Sequence, residues 1–179
     1  ALPGKHNLSN MLCAATSSSL MGISDKHIAN VMKTFTGVEH RLENFAIIKD
    51  VTYINDSKAT NLDSVSVAIQ SFNKPVVLIL GGRNKGADFR LLLPHIKSSH
   101  VRDIISYGEA GGQISTAIGD AVRSVQVTDL NSAVKTAQRL AAPGDVVLLS
   151  PGCASFDQFA NFEERGQYFK TKVMEMMVA

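Results

Sequence analysis

The stretch at 145–166, DVVLLSPGCASFDQFANFEERG, decides the fold of this chain. Its uninterrupted apolar run stops abruptly at Ser150-Pro151-Gly152, and Ser155 and Asp157 then open a segment with three phenylalanines and Arg165. The pattern predicts a buried strand that delivers a loop to the N-terminus of a helix. Such a junction presents backbone N–H groups and the positive end of a helix dipole, so it suits an anionic ligand.

Upstream of this stretch, strand-like runs alternate with helical ones. The predicted strands are 43–49, 51–55, 75–80, 101–107, 124–127 and 145–149, and the predicted helices are 62–72, 89–97, 112–118, 131–140 and a closing helix at 157–177. Runs such as VVLIL and VVLLS are apolar on both faces, which is typical of strands buried between two layers. The pattern predicts an α/β domain with a doubly wound, Rossmann-like, mostly parallel sheet flanked by helices.

A helical segment precedes the predicted sheet. Two amphipathic patterns lie at 7–21 and 24–36, where Gly22 separates them, Gly37 closes the pair and Ser24 is placed to cap the second. The first four residues lack an initiator Met and lead at once into helical sequence. We therefore expect this chain to be cut from the middle of a longer one.

Composition narrows the function classes. With 179 residues, of which 45% are hydrophobic, the chain has the length of one globular domain with an appendage. A net charge of +2 without a Lys/Arg run gives no support for nucleic-acid binding. No secretory leader or long apolar span is present, so we expect a cytoplasmic protein that does not interact with membranes. Neither the two cysteines nor the five histidines have metal-ligand spacing, so we expect no metal ligands.

Most of the charged and polar candidates follow three of the predicted strands. Ligands of doubly wound sheets bind outside the carboxyl ends of the strands, where parallel strands bring their loops together. The loops at 56–61, 81–88 and 150–157 would gather there Lys58, Thr60, Arg83, Lys85, Ser155 and several aspartates. This edge is predicted to bind a ligand with several negative groups.

Each motif also has a purely structural interpretation. NDSKATN at 55–61 is compatible with a turn followed by an Asn cap. GGRNKGAD at 81–88 is compatible with a tight turn, and it lacks the Lys-Ser/Thr pair of a phosphate-binding P-loop. The spacing i, i+3, i+6 is more typical of helix packing than of a ligand cage for Phe156, Phe159 and Phe162.

Together and in this order, the motifs resemble those of the Mur ligases over essentially the whole chain. LPGKHNLSNMLCA at 2–14 resembles the family's G-x-HN-x-x-N-x-x-A helix, and TGVEHRLE at 36–43 resembles its interdomain HR element. YINDSKATN at 53–61, LGGRNKGADF at 80–89 and the opening stretch resemble signatures of its C-terminal domain. NDSKATN and SPGCASFDQF are specific for members that add D-glutamate. The resemblance assigns 1–37 to the helical end of a central ATP-binding domain and 38–179 to a C-terminal Rossmann-like glutamate ligase domain.

The resemblance also implies roles for individual residues. It implies that ATP is bound by Asn7, Asn10, Arg41, Asp56 and Lys58, with Arg41 and Lys58 as the catalytic pair beside the phosphates. It implies that D-glutamate is bound by Thr60, Lys85, Ser155, Phe156 and Phe162. Lys and Ser/Thr donors can fix a dicarboxylate so that its amine meets an acyl carbon, which is catalysis by positioning.

The implied reaction is amide formation in cell-wall peptidoglycan synthesis, with consequences for cell shape and division. An acyl phosphate made from ATP and UDP-N-acetylmuramoyl-L-alanine would be attacked by D-glutamate. The family's phosphate loop, carbamylated lysine and Mg²⁺ ligands do not occur in this sequence, so we expect Mg²⁺ to be held elsewhere in a longer, monomeric enzyme and this chain alone to be inactive.

Two other functions remain to be compared with this one. A non-catalytic α/β binding module on a ligase-like scaffold is an alternative, because fold alone does not determine function. A dinucleotide-binding oxidoreductase is disfavoured, because GEAGG at 108–112 lacks the spacing of G-x-G-x-x-G.

Overall fold

The computed structural model describes residues 5–175, and side chains from residue 7 onward. Two helices, α1 (Lys5–Leu20) and α2 (Asp25–Thr34), precede a six-stranded sheet. Ser24 occupies the N-cap position of α2 but makes no side-chain capping bond, contrary to our expectation. Its hydroxyl lies 2.7 Å from Nδ1 of His27 instead.

The sheet has the strand order β1-β2-β6-β3-β4-β5, in which all neighbours except β1 and β2 are parallel. This confirms the mostly parallel α/β prediction. Its strands are β1 (Glu43–Ile48), β2 (Val51–Asn55), β3 (Val76–Gly81), β4 (Val101–Tyr107), β5 (Arg123–Gln126) and β6 (Val146–Gly152). The antiparallel edge is a tight hairpin whose connecting residues, Lys49 and Asp50, both have positive φ, as a two-residue type I′ turn requires.

Helices cover both faces of the sheet. They are α3 (Leu62–Ile69), a 3₁₀ turn (Phe89–Leu92) that runs into α4 (Leu93–Lys97), α5 (Gly111–Ile118), α6 (Leu130–Leu140) and α7 (Phe162–Glu175). The central strands alternate between two apolar clusters. Leu78 and Leu148 pack in one cluster with residues of α3 and α5, whereas Val77 and Val147 pack in the other with residues of α6 and α7. Both faces of the central strands are therefore buried, as predicted.

The closing helix differs most from the prediction. It begins at Phe162 rather than at 157, and the predicted end at 177 lies outside the described residues. The Asn161 side chain accepts a hydrogen bond from the backbone N–H of Glu164 at 2.7 Å, and the Glu164 carboxylate accepts one from the N–H of Ala160 at 2.9 Å. This reciprocal arrangement resembles a capping box and sets the start of α7. Within residues 5–175, no helix combines the length and apolar character that a membrane crossing requires.

Candidate functional site

The three loops singled out from the sequence meet at the carboxyl edge of the sheet. They do so because β2, β6 and β3 are consecutive parallel neighbours. Backbone hydrogen bonds join the loops directly: Gly152 N–H donates to the Ala59 carbonyl at 2.8 Å, and Arg83 and Ala154 exchange a pair of bonds at 2.9 and 3.1 Å. The predicted convergence of these loops is confirmed.

Asp56 lies at the end of β2 and is only 5% exposed. One carboxylate oxygen accepts from the Leu42 N–H at 3.1 Å, and the other accepts from the Ser150 hydroxyl at 2.8 Å. Burial raises the pKa of Asp56 to about 6, although both hydrogen bonds and the Arg41 charge oppose this shift. Asp56 thus ties the loop after β2 to β6 and to the segment that carries Arg41.

Arg41 lies at a strained corner of the backbone. Its neighbours His40 and Leu42 have φ values of 63° and 43°, in the left-handed region that non-glycine residues rarely adopt. The corner is held by the Leu42 bond to Asp56 and by a bond from the Lys58 N–H to the His40 carbonyl at 3.1 Å. Strain of this kind persists only where surrounding contacts enforce it, and it is common at functional sites.

Two neighbouring cavities share Arg41 and Leu42 in their walls. The first, about 460 Å³, lies between the helical pair and the segment before β1, and Asn7 and Asn10 belong to its lining. The second, about 310 Å³, is lined by Asp56 and Lys58 together with residues of α3. The structure therefore brings together all five residues that were predicted to bind ATP.

Phe162 lies beside Lys58, one of the residues that line the second cavity. The Lys58 ammonium is 4.6 Å from the centre of the Phe162 ring, which also makes an edge contact with the His40 ring at 6.0 Å. Cation–π contact of this kind orients a lysine without neutralising it. Phe162 thereby connects the predicted D-glutamate set with the predicted catalytic lysine.

The other predicted D-glutamate residues share the same edge but do not line either cavity. Ser155 is buried, and its carbonyl accepts from the N–H groups of Gln158 and Phe159 in a turn. Phe156 is 61% exposed, Lys85 is exposed and Thr60 is half-buried. The interpretation of three phenylalanines on one helical face is wrong, because α7 begins only at Phe162.

Two arginines near this edge, Arg83 in the loop after β3 and Arg165 in α7, have different environments. The Arg83 guanidinium donates to both carboxylate oxygens of Glu109 at 2.9 and 2.7 Å, so a carboxylate already neutralises it. Arg165, which sequence analysis did not assign to the site, is fully buried beneath the loops. A signal for it was present, because its spacing from Phe162 and Phe169 places it on the buried face of α7.

One cluster has the geometry of a metal site but already binds a cation of the protein. Ligand atoms of Glu39, His40 and Glu43 lie within 4.8 Å of one another. The Lys170 ammonium donates to Glu39 at 2.6 Å and to Glu43 at 3.0 Å, and its hydrogen bond lowers the pKa of Glu39. An ammonium at this position supplies the positive charge, so these residues do not fit the Mg²⁺ ion that the family resemblance implies.

Comparison with protein families agrees with this arrangement. A family model described as Mur ligase, glutamate ligase domain matches residues 40–153, more than half of the chain. The chain belongs to the Mur ligase family. The matched range contains Arg41, Asp56, Lys58, Thr60 and Lys85 and ends two residues before Ser155.

Relatives with high identity extend over nearly the whole chain. A UDP-N-acetylmuramoylalanine–D-glutamate ligase of Lactobacillus delbrueckii subsp. bulgaricus is 48% identical over 177 residues, covering 98% of this chain and 38% of the relative. The protein of the same name from Salinibacter ruber is 43% identical over 178 residues, covering 99% of this chain and 38% of the relative. This Mur ligase chain therefore spans about two fifths of the length of these relatives.

Solved structures of low identity support the fold. UDP-N-acetylmuramate-alanine ligase MurC from Thermotoga maritima superposes with a TM-score of 0.74 at 14% identity, covering 98% of this chain and 39% of the other. MurF from the same organism, in complex with ADP, gives 0.61 at 13% identity, covering 94% and 39%. A bifunctional folylpolyglutamate synthase/dihydrofolate synthase from Yersinia pestis gives 0.62 at 17% identity, covering 83% and 34%.

Proposed function

We propose that this chain is the C-terminal part of an ATP-dependent ligase of the MurD type, which joins D-glutamate to UDP-N-acetylmuramoyl-L-alanine. The main support is that the five residues predicted to bind ATP, which come from separate parts of the sequence, line two cavities that share Arg41 in their walls. The names of the high-identity relatives support the choice of D-glutamate and of the sugar nucleotide. Addition of D-glutamate to this sugar nucleotide is a step of peptidoglycan synthesis. The enzyme would therefore act in the cytoplasm and contribute to cell-wall biogenesis, cell shape and cell division.

In this proposal the cavity next to the helical pair receives the adenine side of ATP. Asn7 and Asn10 contribute polar side chains to its mostly apolar wall. Arg41, at the boundary with the second cavity, and Lys58, inside it, face the phosphates. Residues 1–37 would then belong to the central ATP-binding domain and 38–179 to the glutamate ligase domain. Mg²⁺ would be held by residues outside this chain.

D-glutamate would bind on the adjoining part of the carboxyl edge. Lys85 and Thr60 offer donors for one carboxylate, and Ser155 and the backbone near Phe156 offer donors for the other. Phe162 would bound the site beside Lys58, since their side chains are in contact. The two substrates would meet where the loop after β2 touches the loop after β6.

The chemistry follows from this placement. A carboxylate oxygen of the L-alanine residue attacks the γ-phosphorus of ATP, and ADP leaves. The D-glutamate amine then attacks the acyl carbon, the amine loses a proton, and inorganic phosphate leaves. Arg41 and Lys58 stabilise the negative charge that shifts between phosphate oxygens. The other residues hold the amine at the acyl carbon.

The test measures phosphate release that depends on D-glutamate, in the longer protein that contains this chain and in this chain alone. We expect release only from the longer protein, with a fall of about 100-fold in kcat/KM for Lys58→Met and no change for the exposed Lys97→Met. Absence of D-glutamate-dependent release from the longer protein would favour a non-catalytic binding module.

A titration of this chain with glutamate tests the half-site separately. We expect chemical-shift changes at Thr60, Lys85 and Ser155 with D-glutamate and not with L-glutamate. Equal responses to the two enantiomers would contradict the assigned D-glutamate site.

A further inference from the structure

Arg165 is the largest fully buried side chain among the described residues, and it lies in the first turn of α7. Each nitrogen of its guanidinium donates one hydrogen bond. Nε donates to the Ser57 hydroxyl at 2.9 Å, one terminal nitrogen to the Cys153 carbonyl at 3.0 Å, and the other to the Ser57 carbonyl at 2.7 Å. A single side chain therefore joins the loop after β2, the loop after β6 and the closing helix.

Arg165 has no ion-pair partner among the described residues. Its three acceptors are uncharged. A buried charge without a counter-charge is expensive, and an apolar side chain of similar volume is often as stable or more so. The guanidinium fork thus has a role other than filling space, because only a planar fork of donors reaches these acceptors together.

Two of the three acceptors of Arg165 are carbonyls of peptide groups that lead into site residues. The peptide after Ser57 is fixed on one side by Arg165 and on the other by the bond from the Lys58 N–H to the His40 carbonyl. The peptide after Cys153 is fixed in the same way, since the Ala154 N–H donates to the Arg83 carbonyl. Arg165 therefore sets the orientation of the chain entering Lys58 and of the chain entering Ser155.

The closing helix can approach these loops because of Gly166. A Cβ atom there would lie well inside van der Waals contact of His40 Nδ1 and 3.0 Å from the Ser57 Cβ. The Ser57 hydroxyl, which accepts from Arg165, donates in turn to the Phe162 carbonyl at 2.7 Å. The loop after β2 is thus hydrogen-bonded to the first turn of α7 both at Arg165 and at Phe162.

We propose that Arg165 is a positioning residue that holds the ATP-side loop, with Asp56 and Lys58, in register with the D-glutamate-side loop, with Ser155. This rests on the proposed ligase function. Misalignment of the loops would leave each substrate bound but move the amine away from the acyl carbon. Water would then attack the acyl phosphate instead, which returns the original carboxylate and inorganic phosphate without forming an amide.

The first test needs no substrate. Amide hydrogen exchange is compared in this chain for the wild type, Arg165→Lys, the milder Ser57→Ala, and Lys172→Met. The last variant is a control on the same helix, because the Lys172 ammonium pairs with Glu175 of α7 and not with a loop residue. We expect exchange at the Lys58, Gly152 and Ala154 amides to rise about tenfold or more in the first two variants, and less at the sheet centre, Ile79 and Leu148. Equal acceleration at loops and sheet centre, or none, would overturn the proposal.

The second test measures coupling in the longer ligase. We expect the wild type and Lys172→Met to release about one phosphate per amide formed, and Arg165→Lys and Ser57→Ala to release about two or more, with KM for ATP and D-glutamate within about threefold of the wild type. A lower folded fraction reduces both products together and leaves this ratio unchanged. A ratio that stays at the wild-type value would overturn the proposal. A wild type that forms no D-glutamate amide would instead refute the proposed function, and hydrogen exchange would still decide the role of Arg165 in holding the loops.

Discussion

The two edges of the sheet differ in whether their buried charged side chains form ion pairs. At the amino edge, the buried carboxylates are paired with guanidinium groups: Asp145 lies 2.7 Å from Arg102, and Asp103 contacts both Arg102 and Arg123. At the carboxyl edge, Asp56 and Arg165 are buried just as deeply, but their hydrogen-bond partners are uncharged.

The difference separates structural charges from charges that we assign to function. A paired carboxylate at the start of a strand stabilises the sheet, and breaking such a pair leaves an uncompensated charge. An uncompensated charge in a cleft costs stability and is typical of a site that meets a charged ligand. The same isosteric change, Asp to Asn, is therefore expected to have opposite effects at the two edges.

The largest effect is expected for Asp145→Asn at the amino edge. Asp145 accepts hydrogen bonds from Arg102 and from the Ala142 N–H, both at 2.7 Å. Loss of its charge should lower the free energy of unfolding by about 2–3 kcal/mol, below the full value for a buried pair because Arg102 is partly exposed. Urea denaturation measures this, with the exposed Asp120→Asn as a control. A neutral result would show that the amino-edge pairs do not stabilise the sheet.

Next in size is a steric test of the carboxyl edge, the pair Gly166→Ala and Gly112→Ala. Both glycines lie in helices, but a Cβ at Gly112 meets nothing closer than 3.8 Å, whereas one at Gly166 collides with His40. We expect Gly166→Ala to destabilise by about 2 kcal/mol and Gly112→Ala to be neutral or stabilising by less than about 1 kcal/mol. Equal melting temperatures for the two variants would contradict the close approach of α7 to the His40 corner.

Sequence patterns predicted the sheet well because its central strands, β3 and β6, are almost entirely apolar. VVLIL and VVLLS need no information from distant residues to be recognised, and the order of loops along the chain was enough to expect a shared carboxyl edge. The start of α7 was missed although its signal is local. Asn161 and Glu164 have the spacing of a capping box, but the helix was predicted to begin at 157.

The partners of Arg165 and Asp56 could not be predicted in this way. Arg165 bonds to Ser57 across 108 positions of sequence, and Asp56 bonds to Ser150 across 94. Both contacts depend on how α7 and β6 pack beside β2, which no periodicity expresses. The positive φ values at His40 and Leu42 are likewise imposed by tertiary contacts on residues that do not favour them.

A smaller effect, of opposite sign, is expected for Asp56→Asn. Because burial raises the pKa of Asp56 to about 6 from 3.8, the folded protein holds this proton more tightly than the unfolded chain does. The associated stability is present below about pH 4 and is lost as the pH rises through about 6. Asparagine has no charge to bury, so the variant should be more stable than the wild type by about 1–2 kcal/mol at pH 8, with no such gain at pH 4.

Urea denaturation at both pH values checks this, with the exposed Asp63→Asn in the same cavity wall as the control. The proposed function adds that the longer ligase loses ATP-dependent activity in Asp56→Asn while its stability rises. Destabilisation at pH 8 would place Asp56 with the structural carboxylates of the amino edge.

The smallest effect is expected for Glu109→Gln, which breaks an ion pair at the carboxyl edge itself. Arg83 and Glu109 are joined by two short hydrogen bonds, but their side chains are 50% and 52% exposed. Water screens such a pair, and ordering two mobile side chains offsets what remains, so the melting temperature should stay within about 2 °C of the wild type. If Glu109→Gln destabilised the protein as much as Asp145→Asn does, burial could not be the reason why the amino-edge ion pairs stabilise the fold. The contrast between the edges would then be only a difference in where ion pairs occur. The buried charges of Asp56 and Arg165, which form no ion pair among the described residues, would no longer mark the site.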